Sequence, residues 1–501
     1  MITLVGQRSS QVEGTYLVSR LRDVRAVRQR VRVGAPDPTL TPSAGIAAVS
    51  EAVERLDVIG ALDRAVGPIK QRERGHTAGQ LLVGIAAAQL AGEDFQVGLD
   101  RQRADAAGQL LAPVPGLCST TASGLARRFT AAQWRRVEVG VAQVAAAAVG
   151  KLAPARRAAL TGSVTIDLDT TDVEVYGRKK RGVAYNYQGQ RCGRPHVATW
   201  AETATVLAAD LMAGDVDPRS HAPELLRRAL AGLPAAARAG RVRMRADAGY
   251  FAGELARAAL AEGIEFAIGA KRIAPLWRLL SGIGEAGWAD AIDMPGAQVA
   301  VANYRPDWWP SRTWLLIRRV RLTPEQVSAD PRARRRRTLH PDQRALPLAE
   351  LEQADAVYGY SFILTNIDVS TPDKAAAVEH WYRHRTEIEN VFRDGKHGAA
   401  LRHLPSGYPD VNTAWMWGAL LAATMAGWLH QLTATERPDG SLTGHGERGG
   451  RAMIATLRHR LIRVPARVVH HAGQLILRPP PGHDILLAEV LARLRALPTS
   501  S

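Results

Sequence analysis

At residue 163 the chain takes up a two-residue repeat that restricts what it can become. Val164, Ile166 and Leu168 alternate with Thr165, Asp167 and Asp169, the period of a β-strand. Two acids on one face of an apolar strand are costly unless each is paired or bound to a metal. The stretch SVTIDLDTTDVEVYGRKKRGVAYNYQG reads as a strand, a Gly-flanked basic turn and a returning strand, that is, a β-hairpin. Further strands are expected over 196–205 and 206–211, then a helix capped by Ser220 and running to Leu230. RVRMRADAGY supplies a strand over 241–247, with Asp247 at its carboxyl end just before Gly249. A helix (252–262) and a strand (264–269) follow. Sites outside the carboxyl ends of strands are the usual ones in an open α/β sheet.

The flanking regions have other patterns. Residues 1–45 are basic, with an Arg-rich 17–33 and the turn-rich APDPTLTPSAG. Residues 46–155 read as all-helical, with Ala-rich segments on either side of CSTTASGLARRFT. There Ser119 or Thr120 can cap a short helix bearing Arg127 and Arg128, and both a helix-turn-helix and an ordinary core helix with two surface arginines fit. Residues 272–356 break the alternation, with short antiparallel strands and then the charged loop PRARRRRTLHPDQRALP. The apolar strand YGYSFILTNID restores it. Domains are therefore expected at 1–45, 46–155, 160–271, 272–356, 357–432 and 433–501. The last of these holds a Gly-rich linker, two basic strands and a closing helix.

A helix with strong start signals follows the apolar strand: Thr371 as N-cap, Pro372 at the first helical position, Asp373 on the dipole. On a continuous helix at 100° per residue, with Tyr382 at zero, Arg385 falls at about −60°, Glu389 at about −20° and Lys396 at about −40°. Glu387 falls at about 140°, on the far side. A phenol, a guanidinium, a carboxylate and an ammonium thus share a stripe. A solvated amphipathic face is the ordinary account of such charges. The stripe also suits a carboxylate holding a metal beside cations that grip phosphates.

Composition narrows the partners. Lys and Arg number 65 against 48 Asp and Glu, a net charge of +17 over 501 residues, which favours a polyanion and nucleic acid before membrane. Two cysteines, Cys118 and Cys192, support neither a disulfide framework nor a zinc cluster, and a reducing cytoplasm is expected. The N-terminus carries charges and no sustained apolar run, so no signal peptide is expected. The uncharged 414–429 is too short and too rich in Ala and Gly for a membrane span and reads as a buried core helix. No Gly-rich phosphate loop ending in Lys-Ser/Thr occurs, so nothing points to ATP.

Tyr382, Arg385, Glu389 and Lys396, at intervals of two, three and six intervening residues, resemble the Y-(2)-R-(3)-E-(6)-K signature of insertion-sequence transposases with a DDE site. The resemblance spans roughly 45–495 and looks closest to the insertion-sequence-1380 group. It implies an α/β fold: an RNase H-like mixed-sheet core with a β-rich insertion, an all-α N-terminal domain that binds DNA ends, and a small C-terminal region. It assigns Asp169, in DTT, as first acid, with Asp167 as its rival; Asp247, in RADAGY, as second; and Glu389 as third. Tyr382, Arg385 and Lys396 are then phosphate contacts. The 142-residue step from Asp247 to Glu389 leaves room for a domain-sized insertion. In it, Trp308 or Trp309 stacks a flipped base or lies in the core. The implied enzyme is a cut-and-paste DNA transposase with two Mg²⁺ ions, for which Mn²⁺ can substitute. It acts on terminal inverted repeats and target DNA as a homodimer, in the cytoplasm at the nucleoid. Ala248 and Tyr250 depart from the commoner Ser and Phe. A DNA-end-binding relic and a nuclease that cleaves without joining are the alternatives.

Overall fold

The strand with the two acids runs from Ser163 to Thr170 (β1) and becomes the middle of a mixed sheet. The computed structural model describes residues 33–72, 74–438, 440–444 and 453–498. Residues 1–32, which hold most of the basic N-terminal segment expected from the sequence, lie outside them. Of the short unit that ends at Thr39, the described part carries an Asx turn, Asp37 Oδ1 accepting from Thr39 N at 2.9 Å. Leu40–Ser501 forms one compact unit.

Val164, Ile166 and Leu168 are fully buried, so β1 can only be an interior strand. It pairs antiparallel with β2 (Arg191–Trp200), which pairs antiparallel with β3 (Thr205–Ala213). On its other edge β1 runs parallel to β4 (Arg241–Ala246), itself parallel to β5 (Glu265–Ala270). The order across this half is thus β3-β2-β1-β4-β5. The expected hairpin is corrected here: the partner of β1 is not the stretch beyond the basic turn but β2. Residues 171–190 hold only the two-residue strands Val173–Glu174 and Ala184–Tyr185. Val197, Ala198 and Trp200 line a buried ladder, whereas Tyr185 and Tyr187 are exposed.

The segment between Asp247 and Glu389 continues the same sheet. β6 (Ala297–Ala302), β7 (Trp314–Leu322) and β8 (Val357–Thr365) add beyond β5 in the order β8-β7-β6, all antiparallel. The result is an eleven-stranded sheet among the described residues. The charged loop ahead of β8 is folded: Arg336 is buried and its Nε and Nη2 donate to Arg344 O at 3.1 and 2.7 Å, beside a small core of Val327, Leu339, Leu351 and Val357.

The helical start includes α1 (Ile46–Arg55), α2 (Val58–Val66), α3 (Ala78–Leu90), α4 (Ser119–Ala126) and α5 (Ala131–Lys151). Capping boxes, Thr77 with Gln80 and Thr130 with Gln133, begin α3 and α5, as reciprocal side-chain bonds to orphan amides should. The N-cap of α4 is Cys118; Ser119, expected as a cap, instead donates from N and Oγ to Asp100 at 3.0 and 2.5 Å. Further on come α6 (Pro218–Ala231), α7 (Gly253–Ala261), α8 (Pro372–Arg383), α9 (Thr386–Gly398), α10 (Pro409–Thr433) and α11 (Asp484–Ala496). Asp217 caps α6, with Pro218 behind it; Ser220 Oγ donates to Asp217 O. Apolar on nearly every side, α3 is buried and packs against α10, as an all-apolar helix must. The two come so close that a Cβ at Gly418 would lie 2.4 Å from Ile85 Cγ2. One continuous core joins these helices to the sheet, Leu62 and Val141 with Ile166 and Trp428. The uncharged 414–429 lies inside α10, and among the described residues no helix is long and apolar enough to cross a membrane. At the C-terminal end, Ala466–His471 and Gln474–Arg478 form a hairpin joined by Leu40–Thr41, before α11.

A candidate active site at the carboxyl ends of two parallel strands

The parallel register of β1 and β4 pairs Asp167 with Arg245 and Leu168 with Ala246. One residue further on, Asp169, still paired with Val197 of β2, stands beside Asp247, the first residue past β4. The two acids of β1 have different fates. Asp167 is fully buried, and Arg245 grips it with two bonds, Nε to Oδ1 at 2.7 Å and Nη2 to Oδ2 at 2.8 Å. Burial drives its carboxyl upward against the pull of Arg245. Arg245 Nη1 also donates to Trp381 O at 2.5 Å, and Trp381 Nε1 to Thr165 Oγ1 at 3.1 Å. This buried pair therefore clamps the end of α8 to the sheet, and it leaves Asp167 no oxygen to offer.

Asp169 lies beyond that clamp. Its Oδ1 accepts from Thr170 N at 2.7 Å and its Oδ2 from Arg385 Nη1 at 3.2 Å. Burial, then the charge of Asp247, push it up to about 7 against Arg385 and the Thr170 amide; Glu389 adds to the rise. Asp247 caps the short 3₁₀ turn Ala248–Tyr250, its Oδ1 accepting from Gly249 N at 2.8 Å. Glu389 completes the group: its Oε1 accepts from Arg385 Nη2 at 3.2 Å, and its side chain is 52% exposed against 15% for Asp169.

The signature does not lie on one continuous helix. α8 ends at Arg383, and α9 starts at Thr386. Between them, bonds to the third residue back, Arg385 N to Tyr382 O (2.9 Å) and Ile388 N to Arg385 O (3.2 Å), tighten the turn. Both sides are held from outside: Arg383 by the carbonyls of Ile292 and Asp293, Arg385 by Asp169. The start of α9 brings Glu389 into its first turn, where the helix dipole favours a carboxylate.

Arg385 is the hub. Burial would lower its affinity for a proton, but Tyr382, Asp169, Asp247 and Glu389 together raise it above the usual arginine range. Tyr382 faces inward: its hydroxyl donates to Ala246 O at 3.1 Å, and burial pushes it up to about 12. It therefore supports the residue just before Asp247. Lys396 stands apart from the three acids, half-buried, with Nζ donating to Asp172 O at 2.8 Å. Trp309 is core, whereas Trp308 is 44% exposed and edge-on to Phe251 at 5.1 Å; no contact joins Trp308 to the acids among the described residues. Arg127 and Arg128 are exposed at the end of α4, Arg127 over the ring of Tyr408 at 4.2 Å. The sequence reading missed Arg245 and Asp172. Arg245 is paired with Asp167 in the β1–β4 register. Asp172 collects Arg194 (2.7 Å), Asn186 (2.8 Å) and Lys396 around one turn.

Three carboxylates against one guanidinium leave an excess of negative charge, which adds to burial in lifting Asp169. Hard oxygen donors in such surplus suit a divalent cation such as Mg²⁺. Among the described residues no three His, Cys, Asp or Glu side chains stand together as a ready-made metal cluster; Arg385 lies between the acids.

The profile of the family described as Transposase DDE domain group 1 matches residues 25–330 and 342–499. No curated protein matches. Among solved structures, the cryo-EM structure of a piggyBac transposase synaptic complex with hairpin DNA aligns at 10% identity and a TM-score of 0.40, over 83% of this chain and 80% of that one. With a family match over most of its length, the chain belongs to the DDE-domain transposases of group 1.

Proposed function

We propose that the chain is a cut-and-paste DNA transposase, of the insertion-sequence-1380 kind, that acts on terminal inverted repeats with Asp169, Asp247 and Glu389 as its catalytic acids. The observation that carries this reading is the gathering of these three acids around Arg385, two of them from adjacent parallel strands. The order β3-β2-β1-β4-β5, with its antiparallel and parallel halves, agrees with an RNase H-like core. Net charge +17 agrees with a DNA partner.

Asp169 Oδ2, Asp247 and Glu389 are the groups that would hold Mg²⁺, or Mn²⁺ in its place. When bound, a metal pair supplies charge stabilisation to the attacking and leaving oxygens of an in-line displacement. Arg385 neutralises the acids in the free protein and exchanges them for a phosphate oxygen of bound DNA, as a two-pronged donor can. Asp167–Arg245 and Tyr382 keep the ends of β1 and β4 in place. Thr170 N and Gly249 N orient one oxygen of each aspartate and leave the other outward. Water then cleaves the phosphodiester, and the freed 3′-OH attacks target DNA; a homodimer on paired ends rests on the resemblance to this transposase class alone.

Asp169→Asn, Asp247→Asn and Glu389→Gln are each expected to abolish cleavage of an end-repeat duplex in Mg²⁺ while retaining its binding in a gel shift. Cleavage by all three variants at the parental rate refutes the assignment. Binding without cleavage by the parental chain identifies a relic, and cleavage without joining a nuclease.

A further inference from the structure

The loop between β1 and β2, residues 171–190, leaves the sheet directly after Asp169 and Thr170. Its charges and rings suit more than a solvated tip. Three of its tyrosines are among the most open large side chains in the described residues: Tyr176 at 85%, Tyr185 at 67% and Tyr187 at 89% exposure. Between them, Arg178, Lys179 and Arg181 are exposed, and none has a carboxylate partner among the described residues.

The loop is nevertheless firmly held. Arg191 donates to Gly177 O at 2.6 Å and to Lys180 O at 2.7 Å, pinning both sides of the basic turn. Lys180 Nζ donates to Leu404 O, and Arg181 N to Gly407 O at 3.2 Å. Asn186 Oδ1 accepts from Gln188 N and Gln190 N, and its Nδ2 reaches Asp172. Asp172, at the loop's base, meets Arg194 and Lys396. Open apolar rings on a pinned loop are not simply the consequence of a floppy turn.

A second feature points the same way. Arg127, from the helical region, and Arg181, from the loop, both lie over Tyr408, at 4.2 and 5.1 Å from its ring centre. Two guanidiniums drawn to one half-exposed ring with no carboxylate between them make a positive spot that an anion would relieve. Cations to follow a backbone and open aromatic faces to receive bases are the two parts of an unpaired-strand site.

Resting on the reading of the neighbouring acids as a DNA-cleaving centre, we propose that residues 171–190 grip unpaired nucleotides beside the cleaved phosphate. Tyr176, Tyr185 and Tyr187 stack on bases; Arg178, Lys179 and Arg181, with Arg127, take phosphates.

The test uses the full chain and two fluorescent DNA probes, a blunt end-repeat duplex and the same duplex with a short single-stranded overhang, titrated at several salt concentrations. One variant combines Tyr176→Ala, Tyr185→Ala and Tyr187→Ala; a control carries Phe at the same three positions; another combines Arg178→Ala, Lys179→Ala and Arg181→Ala. The alanine replacement of the tyrosines is expected to lose the preference for the overhang, by roughly tenfold for each lost stack, and the Phe control to keep it. The basic variant is expected to weaken binding to both probes and flatten the salt dependence by roughly two to three in slope. Equal affinity of parent and both alanine variants for both probes overturns the proposal, as does an equal loss on blunt and overhang DNA in the tyrosine variant. Asp169→Asn, run alongside for cleavage, separates the two readings: if it still cuts, the catalytic assignment falls, while the binding curves judge the loop independently.

Discussion

Asp169→Asn offers a test of the site that needs no DNA. In the folded protein the carboxyl is lifted from 3.8 to about 7, which is worth at most roughly 4 kcal/mol against its ionised form. Below about pH 4 it is protonated whether the chain is folded or not, and contributes nothing. Between there and pH 7 the folded chain keeps a proton that the unfolded chain gives up, so stability declines as pH rises; the deficit is complete above about pH 8. Asn removes that charge with little change of shape. For a unit of this size the unfolding entropy is about 1 kcal/mol per kelvin, so the variant should melt up to about 4 °C higher at pH 8.5 and level with the parent below about pH 4. Scanning calorimetry or dye-monitored melting in chelator reads this difference directly. Mg²⁺ should then raise the parent's melting point more than the variant's, because binding to the folded state alone stabilises it. A difference that does not change with pH, or a less stable variant at pH 8.5, refutes the claim that burial and neighbouring negative charge lift this carboxyl.

Other outcomes follow from the same geometry. Asp167→Ala, which orphans buried Arg245, is expected to cost about 3–5 kcal/mol, read as a lower urea midpoint. Gly269→Ala places a methyl 2.6 Å from the Tyr382 hydroxyl and 2.8 Å from Ala248 N. It should slow end cleavage by tenfold or more while the chain stays folded by circular dichroism, on the order of the cost of small misplacements at reacting groups. His196 is buried, and burial holds it down at about 4. The folded state thus resists a proton that the unfolded chain accepts below about pH 6.5, so His196→Leu should flatten the loss of stability between pH 6.5 and 4 in acid-unfolding curves.

The parts of this fold legible in the sequence are those that local chemistry dictates. The alternation from Val164 to Asp169 marked an interior strand. The Thr371–Pro372 pair marked the start of α8, and the uncharged run in α10 marked a buried helix. The 78-residue step from Asp169 to Asp247 reappears as the offset of the β1–β4 register, in which Ser163 faces Arg241. What was hidden depends on partners far along the chain. Nothing near Thr170 says that its strand partner lies beyond Arg191, because ladder bonds are made by backbone atoms that every residue carries. The break after Arg383 has neither Pro nor Gly to announce it; it is set by carbonyls at Ile292 and Asp293 and by the carboxylate of Asp169. Three exposed tyrosines in one loop were visible as letters, but their openness follows only from which strand β2 turned out to be.

The continuity of the sheet carries a practical consequence. β8 lies between β5 and β7, so trimming the chain to a minimal catalytic fragment by excising 272–356 would unzip one whole flank of Val357–Thr365. That flank carries Phe362, Ile363 and Leu364, and a bare apolar strand edge recruits other chains. Such a fragment would precipitate or swap strands with its neighbours, and a shortened version of this chain has to keep β6 and β7.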